Sequence, residues 1–180
     1  MPGRRSHIIE SADVAVARVS GEYKLLSTGS IPAGGYLYWI DGELTGIPSR
    51  HSVQIDSDVH VDVADGHTLE ECLDLFIWRF MNHSCEPNAV IRGRDVLTVR
   101  PINRGEELTF NYNTTEYEMA EPFDCNCETS RCGGRIQGFR YISRAERERL
   151  RPWLAPHLLR LLDSDAEPGV RVNREAPAIR

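Results

Sequence analysis

The tightest constraint in the sequence is a run of three cysteines within eight positions, Cys125, Cys127 and Cys132, spaced Cys-x-Cys-x4-Cys. Thiols so close along a chain are poorly placed to bridge one another, yet thiolates on one tight loop converge readily on a tetrahedral metal at about 2.3 Å. The competing reading, reduced surface thiols, is disfavoured by how closely the spacing matches zinc-ligand runs. Five cysteines in 180 residues are too few for a disulfide scaffold, so a structural zinc needs its fourth ligand from Cys72 or Cys85. Cys72 falls on the apolar stripe of a predicted helix and reads as core filling. Cys85 follows that helix in the loop Asn82-His83-Ser84-Cys85-Glu86-Pro87-Asn88, which can present its sulfur, so the expected zinc set is Cys85, Cys125, Cys127 and Cys132.

Upstream of the cysteines the pattern is that of short strands. Alternation or β-rich runs cover Val14 to Val19, Tyr23 to Thr28, Tyr36 to Ile40 and Val59 to Val63, separated by turn residues such as Ile31-Pro32-Ala33-Gly34-Gly35 and Asp41-Gly42. From Thr68 the period becomes helical through Leu69, Cys72, Leu73, Phe76, Ile77 and Phe80, with Thr68 and Glu71 as a capping box, which predicts one helix ending near Asn82. Strands are expected again at Ala89 to Ile91, Val96 to Val99 and Leu108 to Tyr112. Ser143 and Glu146 form a second capping box before a charged helix that Pro152 should end, and Leu154 to Leu162 fits another short helix. The stretch from Asp163 has few large apolar residues and reads as a loose tail.

The hydrophobic fraction of 41% with 27% charged residues suits a soluble globular domain, with no apolar run near the ~20 residues a bilayer needs and no signal peptide at Arg4, Arg5 and His7. A net charge of −6 argues against a general nucleic-acid binder and suits a basic substrate better.

Three segments in order, Phe80-Met81-Asn82-His83-Ser84-Cys85-Glu86-Pro87-Asn88, then Arg104-Gly105-Glu106-Glu107-Leu108-Thr109-Phe110-Asn111-Tyr112, then the cysteine loop ending Cys132-Gly133-Gly134, resemble the SET and post-SET pattern. Ile31-Pro32-Ala33-Gly34 is similar to the family's early turn, and the resemblance covers about residues 14 to 142. It implies a mostly β fold with short helices, the SET β-clip, in which the Leu108 to Tyr112 segment threads a loop as a pseudoknot. By extension the chain divides into a SET domain at 14–112, a post-SET zinc segment at 113–142, C-terminal helices at 143–162 and a tail at 163–180.

The resemblance further implies that Asn82 and His83 hold S-adenosylmethionine and that Tyr112 is the active-site tyrosine beside the methyl group. Zinc on Cys85, Cys125, Cys127 and Cys132 would complete the cofactor pocket, with Phe139 or Tyr141 covering the adenine. Glu22-Tyr23-Lys24 stands where members usually carry a Gly-x-Gly turn, which places Tyr23 at the methionine end. Ile40, Tyr38 and Trp39 occupy the region where members line the lysine channel, and the segment between Gly42 and Thr68 is short for a substrate-recognising insert.

The implied activity is S-adenosylmethionine-dependent methyl transfer to a lysine of a protein or peptide. In-line attack of an amine on a sulfonium methyl needs alignment and a dry channel more than a strong acid or base, and Tyr112 would polarise and orient. Two alternatives stand beside it: an enzyme that methylates a small amine or carrier-bound intermediate, and a zinc-clamped binding module without catalysis. Neither direct nucleic-acid binding nor membrane association is expected. Reduced, clustered thiols place the protein in the cytoplasm, or the nucleus in a eukaryotic host.

Overall fold

The computed structural model describes residues 13–164 of the 180-residue chain. The expected tail beyond residue 164 and the N-terminal segment read for a signal peptide lie outside the described residues.

Val14–Val19 (β1) and Glu22–Ser27 (β2) pair as an antiparallel hairpin in the register Val14 to Ser27 and Val19 to Glu22. Ser20 and Gly21 turn it with φ of 53° and 91°, the double positive φ that suits a two-residue hairpin. Tyr36–Trp39 (β3) is followed by two strands the sequence reading missed, Glu43–Thr45 (β4) and Val53–Asp56 (β5), and then by Val59–Asp62 (β6). β4, β6 and β5 form one antiparallel sheet in that order.

Thr68 begins the helix Leu69–Leu75 (α1) with both halves of its capping box in place. The helix is shorter than expected. Phe76 leaves helical dihedrals at φ −124° and ψ 49°, and the chain tightens into a 3-10 turn over Ile77–Phe80. The cause is Trp78, which lies off the apolar stripe. It is buried, and its indole N–H donates to the Asp41 carbonyl at 2.9 Å, a seat that an uninterrupted helix would deny it.

The extended pair Asn82–His83 (β7) follows, then the hairpin of Ala89–Arg92 (β8) and Asp95–Thr98 (β9), which joins β3 in the order β3, β9, β8. Arg94 closes the outer side of this sheet, donating to the Ile40 and Gly42 carbonyls at 2.7 and 2.8 Å and lying over the Trp39 ring. Thr109–Phe110 (β10) runs parallel to β7, Thr109 opposite Asn82 and Phe110 opposite His83. The strand expected from Leu108 to Tyr112 thus covers two residues only. Asn111 ends it by accepting the Asn113 N–H at 3.0 Å, which starts a 3-10 turn over Tyr112–Thr114.

The main core lies between these sheets, with Leu25, Leu37, Ile40, Val61, Val96 and Leu108 fully enclosed. Each such side chain contributes about 1.5–3 kcal/mol relative to exposure. Beyond the hairpin Phe123–Asp124 (β11) and Arg135–Ile136 (β12), a second core gathers Phe139 with Leu150, Leu154, Leu158 and Leu162. The last three come from the 3-10 turn after Arg144–Leu150 (α2) and from Pro156–Asp163 (α3), Pro152 falling just past α2 as expected. Ser143 caps α2 as expected, but Glu146 pairs with Arg149 at 2.5 Å instead of closing the box. The helical layer is tied to the Tyr112 turn, since Ala155 N–H donates to Thr114 O at 2.7 Å and His157 Nε2 meets Thr115 O at 2.8 Å.

Candidate active site

Parallel strands β7 and β10 bring Asn82, His83 and Tyr112 to one place. Asn88, buried, clamps the pair: its Nδ2 donates to Glu107 O at 2.7 Å while its Oδ1 accepts Thr109 N–H at 2.8 Å, a double role that suits a side-chain amide. The Tyr112 backbone N–H donates to His83 Nδ1 at 3.2 Å. A backbone N–H is always a donor, so Nδ1 is the unprotonated nitrogen and Nε2 carries the hydrogen toward Cys85 Sγ at 3.3 Å. Burial pushes the His83 pKa down to about 4, consistent with a neutral ring. The Tyr112 hydroxyl donates to Met81 O at 3.0 Å, and burial raises its pKa above the usual phenol value.

Four cysteine sulfurs, from Cys85, Cys125, Cys127 and Cys132, lie within 4.8 Å of one another. That separation suits a zinc ion whose ligands sit at about 2.3 Å, and the all-sulfur donor set is the one structural zinc prefers. Backbone N–H groups of Cys127 and Gly133 already point at Cys125 and Cys85 Sγ at 3.4 and 3.3 Å, as thiolates require. Cys72 takes no part: it is buried in α1, with Arg79 Nη1 against its sulfur at 3.3 Å. The β11–β12 hairpin anchors the cysteine loop beside the tyrosine through Phe123, whose ring stands edge-on to Tyr112 and His83 at 5.9 and 5.8 Å. Sequence reasoning missed Phe123; its position just before the cysteines was the available signal.

At the other side of Asn82, the segment Glu22-Tyr23-Lys24 is tied to the strand pair. Lys24 Nζ bonds Glu107 Oε2 at 2.8 Å, and the Tyr23 ring packs on Phe80 with centroids 5.4 Å apart. Asn82 Nδ2 is shared between Tyr23 O at 3.1 Å and Glu107 Oε1 at 2.8 Å. Asn82 Oδ1 accepts no hydrogen bond among the described residues, which leaves an acceptor for the ammonium of a methionine-like group; this donor set fits S-adenosylmethionine.

Phe139 is not placed to cover an adenine. It is 1% exposed, packed among Leu150, Leu154 and Leu158 with the Arg147 guanidinium 4.8 Å from its ring, because the second core needs an aromatic there. Tyr141, the outward ring of that turn, is exposed and bonds Glu118. Tyr38 and Ile40 are likewise core residues, and Trp39 lies outside under Arg94.

An open cleft beside Tyr112 lies between Ser49 to Val53, the Trp78 to Met81 turn and Met119 to Glu121, with Glu116 in its wall. Glu116 went unnoticed in sequence. Its Oε1 accepts Gln54 N–H at 2.8 Å and the Thr115 hydroxyl at 3.2 Å, and burial pushes its pKa up to about 7.

The SET domain family matches residues 7–113, more than half of the chain. The methyltransferase flvH of Aspergillus flavus is 36% identical over 110 residues, 57% of each chain. A histone-lysine N-methyltransferase, H3 lysine-36 specific, of Cryptococcus neoformans is 31% identical over 143 residues, 71% of this chain and 17% of the relative. The chain therefore spans only part of these relatives' lengths. A crystal structure of KRYPTONITE in complex with mCHG DNA and SAH shares the fold, with a TM-score of 0.50 and 21% identity over 68% of this chain and 28% of that one. The paired strands beneath a four-cysteine loop and the family match agree, and this chain belongs to the SET-domain family.

Proposed function

We propose that this chain transfers a methyl group from S-adenosylmethionine to a lysine side-chain amine of a protein or peptide. The observation that carries the reading is the β7–β10 pairing, which sets Asn82, His83 and Tyr112 side by side beneath the cysteine loop. The cofactor supplies an electrophilic methyl on a sulfonium. Asn82 Oδ1 would receive the cofactor's ammonium, while His83, bonded on both nitrogens, fixes the Tyr112 backbone against the cysteine loop. Tyr112 and the ring of Phe110 line the cleft beside this pair, limiting water around an amine that must be uncharged when it attacks. Zinc on the four cysteines would hold the β11–β12 hairpin closed over the site.

The test is calorimetric titration of zinc-loaded protein with S-adenosylmethionine, followed by labelled-methyl transfer to histone H3, poly-lysine and free lysine. Binding that an Asn82→Ala, His83→Ala double variant abolishes, with transfer to the polypeptides, is the expected result. Transfer to free lysine alone would shift the assignment to a small-amine enzyme, and absence of cofactor binding by folded, zinc-containing protein would overturn it.

A further inference from the structure

Glu116 sits one turn after Tyr112, its N–H bonded to Tyr112 O at 2.9 Å, so the two side chains leave the backbone on the same side and both enter the cleft. One carboxylate oxygen is spoken for by Gln54 and Thr115. The other, Oε2, has no hydrogen bond among the described residues; His60 Nε2 of β6 stands 3.7 Å from it, too far to be one. The Glu116 side chain keeps 10% of its surface, at the cleft. A buried carboxylate with one saturated and one unbonded oxygen, in the wall of the cleft, needs explanation.

We infer that Glu116 is the proton acceptor for the substrate amine, an inference that rests on the methyl transfer proposed above. A cationic R–NH3+ would enter the cleft and give one proton to Oε2: its N–H bond breaks, the electron pair stays on nitrogen, and a carboxylic acid and a neutral amine result. That lone pair then forms the C–N bond as the C–S bond breaks, sulfur keeping its pair, which yields a methylammonium and a thioether. The acid returns its proton to solvent at the cleft mouth. Tyr112 is not that acceptor, because its hydroxyl keeps its own proton, which it donates to Met81 O, and burial raises its pKa above the usual phenol value.

The groups facing Glu116 are consistent with this role. His60 from β6 and His157 from α3 are both held toward the neutral form by burial. Arg50, His51, Glu121 and Arg79 line the cleft around it, and Arg50 and Glu121 pair loosely with each other at 3.8 Å. Burial, against the opposing hydrogen bonds from Gln54 and Thr115, lifts Glu116 to about 7, close to the working pH of a general base, while the same dry cleft lowers the pKa of an entering ammonium.

The experiment is the pH dependence of kcat from pH 6 to 10 for wild type, Glu116→Gln and Glu116→Asp, using whichever of histone H3, poly-lysine or free lysine the wild type methylates fastest. Wild-type kcat should rise to a plateau with a midpoint near 7. Glu116→Gln, which keeps the acceptor for Gln54, should lose about 100-fold at pH 7. It should regain about tenfold per pH unit up to about pH 9 as the substrate loses its own proton, with cofactor affinity unchanged. Glu116→Asp should keep a near-neutral midpoint, displaced from that of wild type. A Glu116→Gln profile that matches wild type, or one lowered equally at every pH as a structural role would give, overturns the inference. If Glu116→Gln does not fold, an undisplaced midpoint in Glu116→Asp does the same. A wild type that binds cofactor but methylates no amine refutes the underlying reading instead.

Discussion

Replacing Gly138 by alanine tests how the zinc-loop half of the molecule is joined to the site. Gly138 has φ 111° and ψ 169°, a region open to glycine almost alone, so any Cβ costs about 1–3 kcal/mol. That Cβ would also stand 2.7 Å from Tyr117 O, 2.9 Å from Glu118 Cα and 3.0 Å from Glu118 N, all backbone atoms with no side chain to swing aside. Relief requires the two segments to part, weakening Phe139 N–H to Glu116 O at 2.8 Å and Arg140 N–H to Tyr117 O at 3.0 Å. Each such bond contributes about 1 kcal/mol. The sum is about 3–5 kcal/mol, which at roughly 2–4 °C per kcal/mol lowers the unfolding midpoint by about 6–20 °C. Circular dichroism melts and urea titrations in excess zinc measure it. Gly66→Ala is the control, because Gly66 has φ 98° with nothing within 4 Å of its Cβ, leaving only a backbone term of about 1–2 kcal/mol. Equal losses in the two variants would refute the reasoning, since the close approach would then count for nothing.

Purified protein should carry one zinc per chain; Cys85→Ser and Cys127→Ser should lose it while Cys72→Ser keeps it, as read by metal analysis, and zinc retention in Cys85→Ser would contradict the assigned set. Asn88→Ala strands Thr109 N–H and Glu107 O inside the protein and should cost about 2–4 kcal/mol in urea unfolding, a loss under 1 kcal/mol counting against the clamp. His157 is buried with its folded pKa lowered below the ordinary 6.5, so the unfolded chain takes up its proton first. Its contribution is complete above about pH 6.5 and lost as pH falls. Urea midpoints from pH 7.5 to 5 should therefore drop less in His157→Gln than in wild type, and parallel curves would exclude His157 as a source of acid sensitivity.

The features legible in sequence are those whose cause is local. Strands β1 and β2, the Thr68 cap and strands β8 and β9 each depend on residues a few positions apart, and each stands within a residue or so of where the pattern put it. Strands β4 and β5 escaped notice because their patterns run against the usual alternation. Leu44 in β4 is 63% exposed, whereas polar Gln54 in β5 is buried and bonds Asp56 O and Tyr117 N. Three clustered cysteines came from spacing and Cys85 from its place in a loop, and motif order put Asn82, His83 and Tyr112 in the neighbourhood where they meet. Glu116 was not legible, since its hydrogen-bond partner Gln54 lies 62 residues away, and nothing in the flanking Thr115 and Tyr117 signals it. Phe139 misled for a related reason: an aromatic after a cysteine loop serves a core as readily as a ligand face, and only the leucines of the helices decide between them.

The stitching around Tyr112 also sets the order in which the molecule can fold. His83 reaches the tyrosine's backbone across 29 residues, Gln54 reaches Glu116 across 62, and His157 reaches Thr115 across 42. Loop closure must precede each of these contacts, while the β1–β2 and β8–β9 hairpins close locally and early. On the ribosome those hairpins can form as they emerge, but the Tyr112 turn has no complete set of partners until α3 has been made. The amide hydrogens of residues 112–116 should accordingly be among the last to gain protection in pulse-labelled refolding.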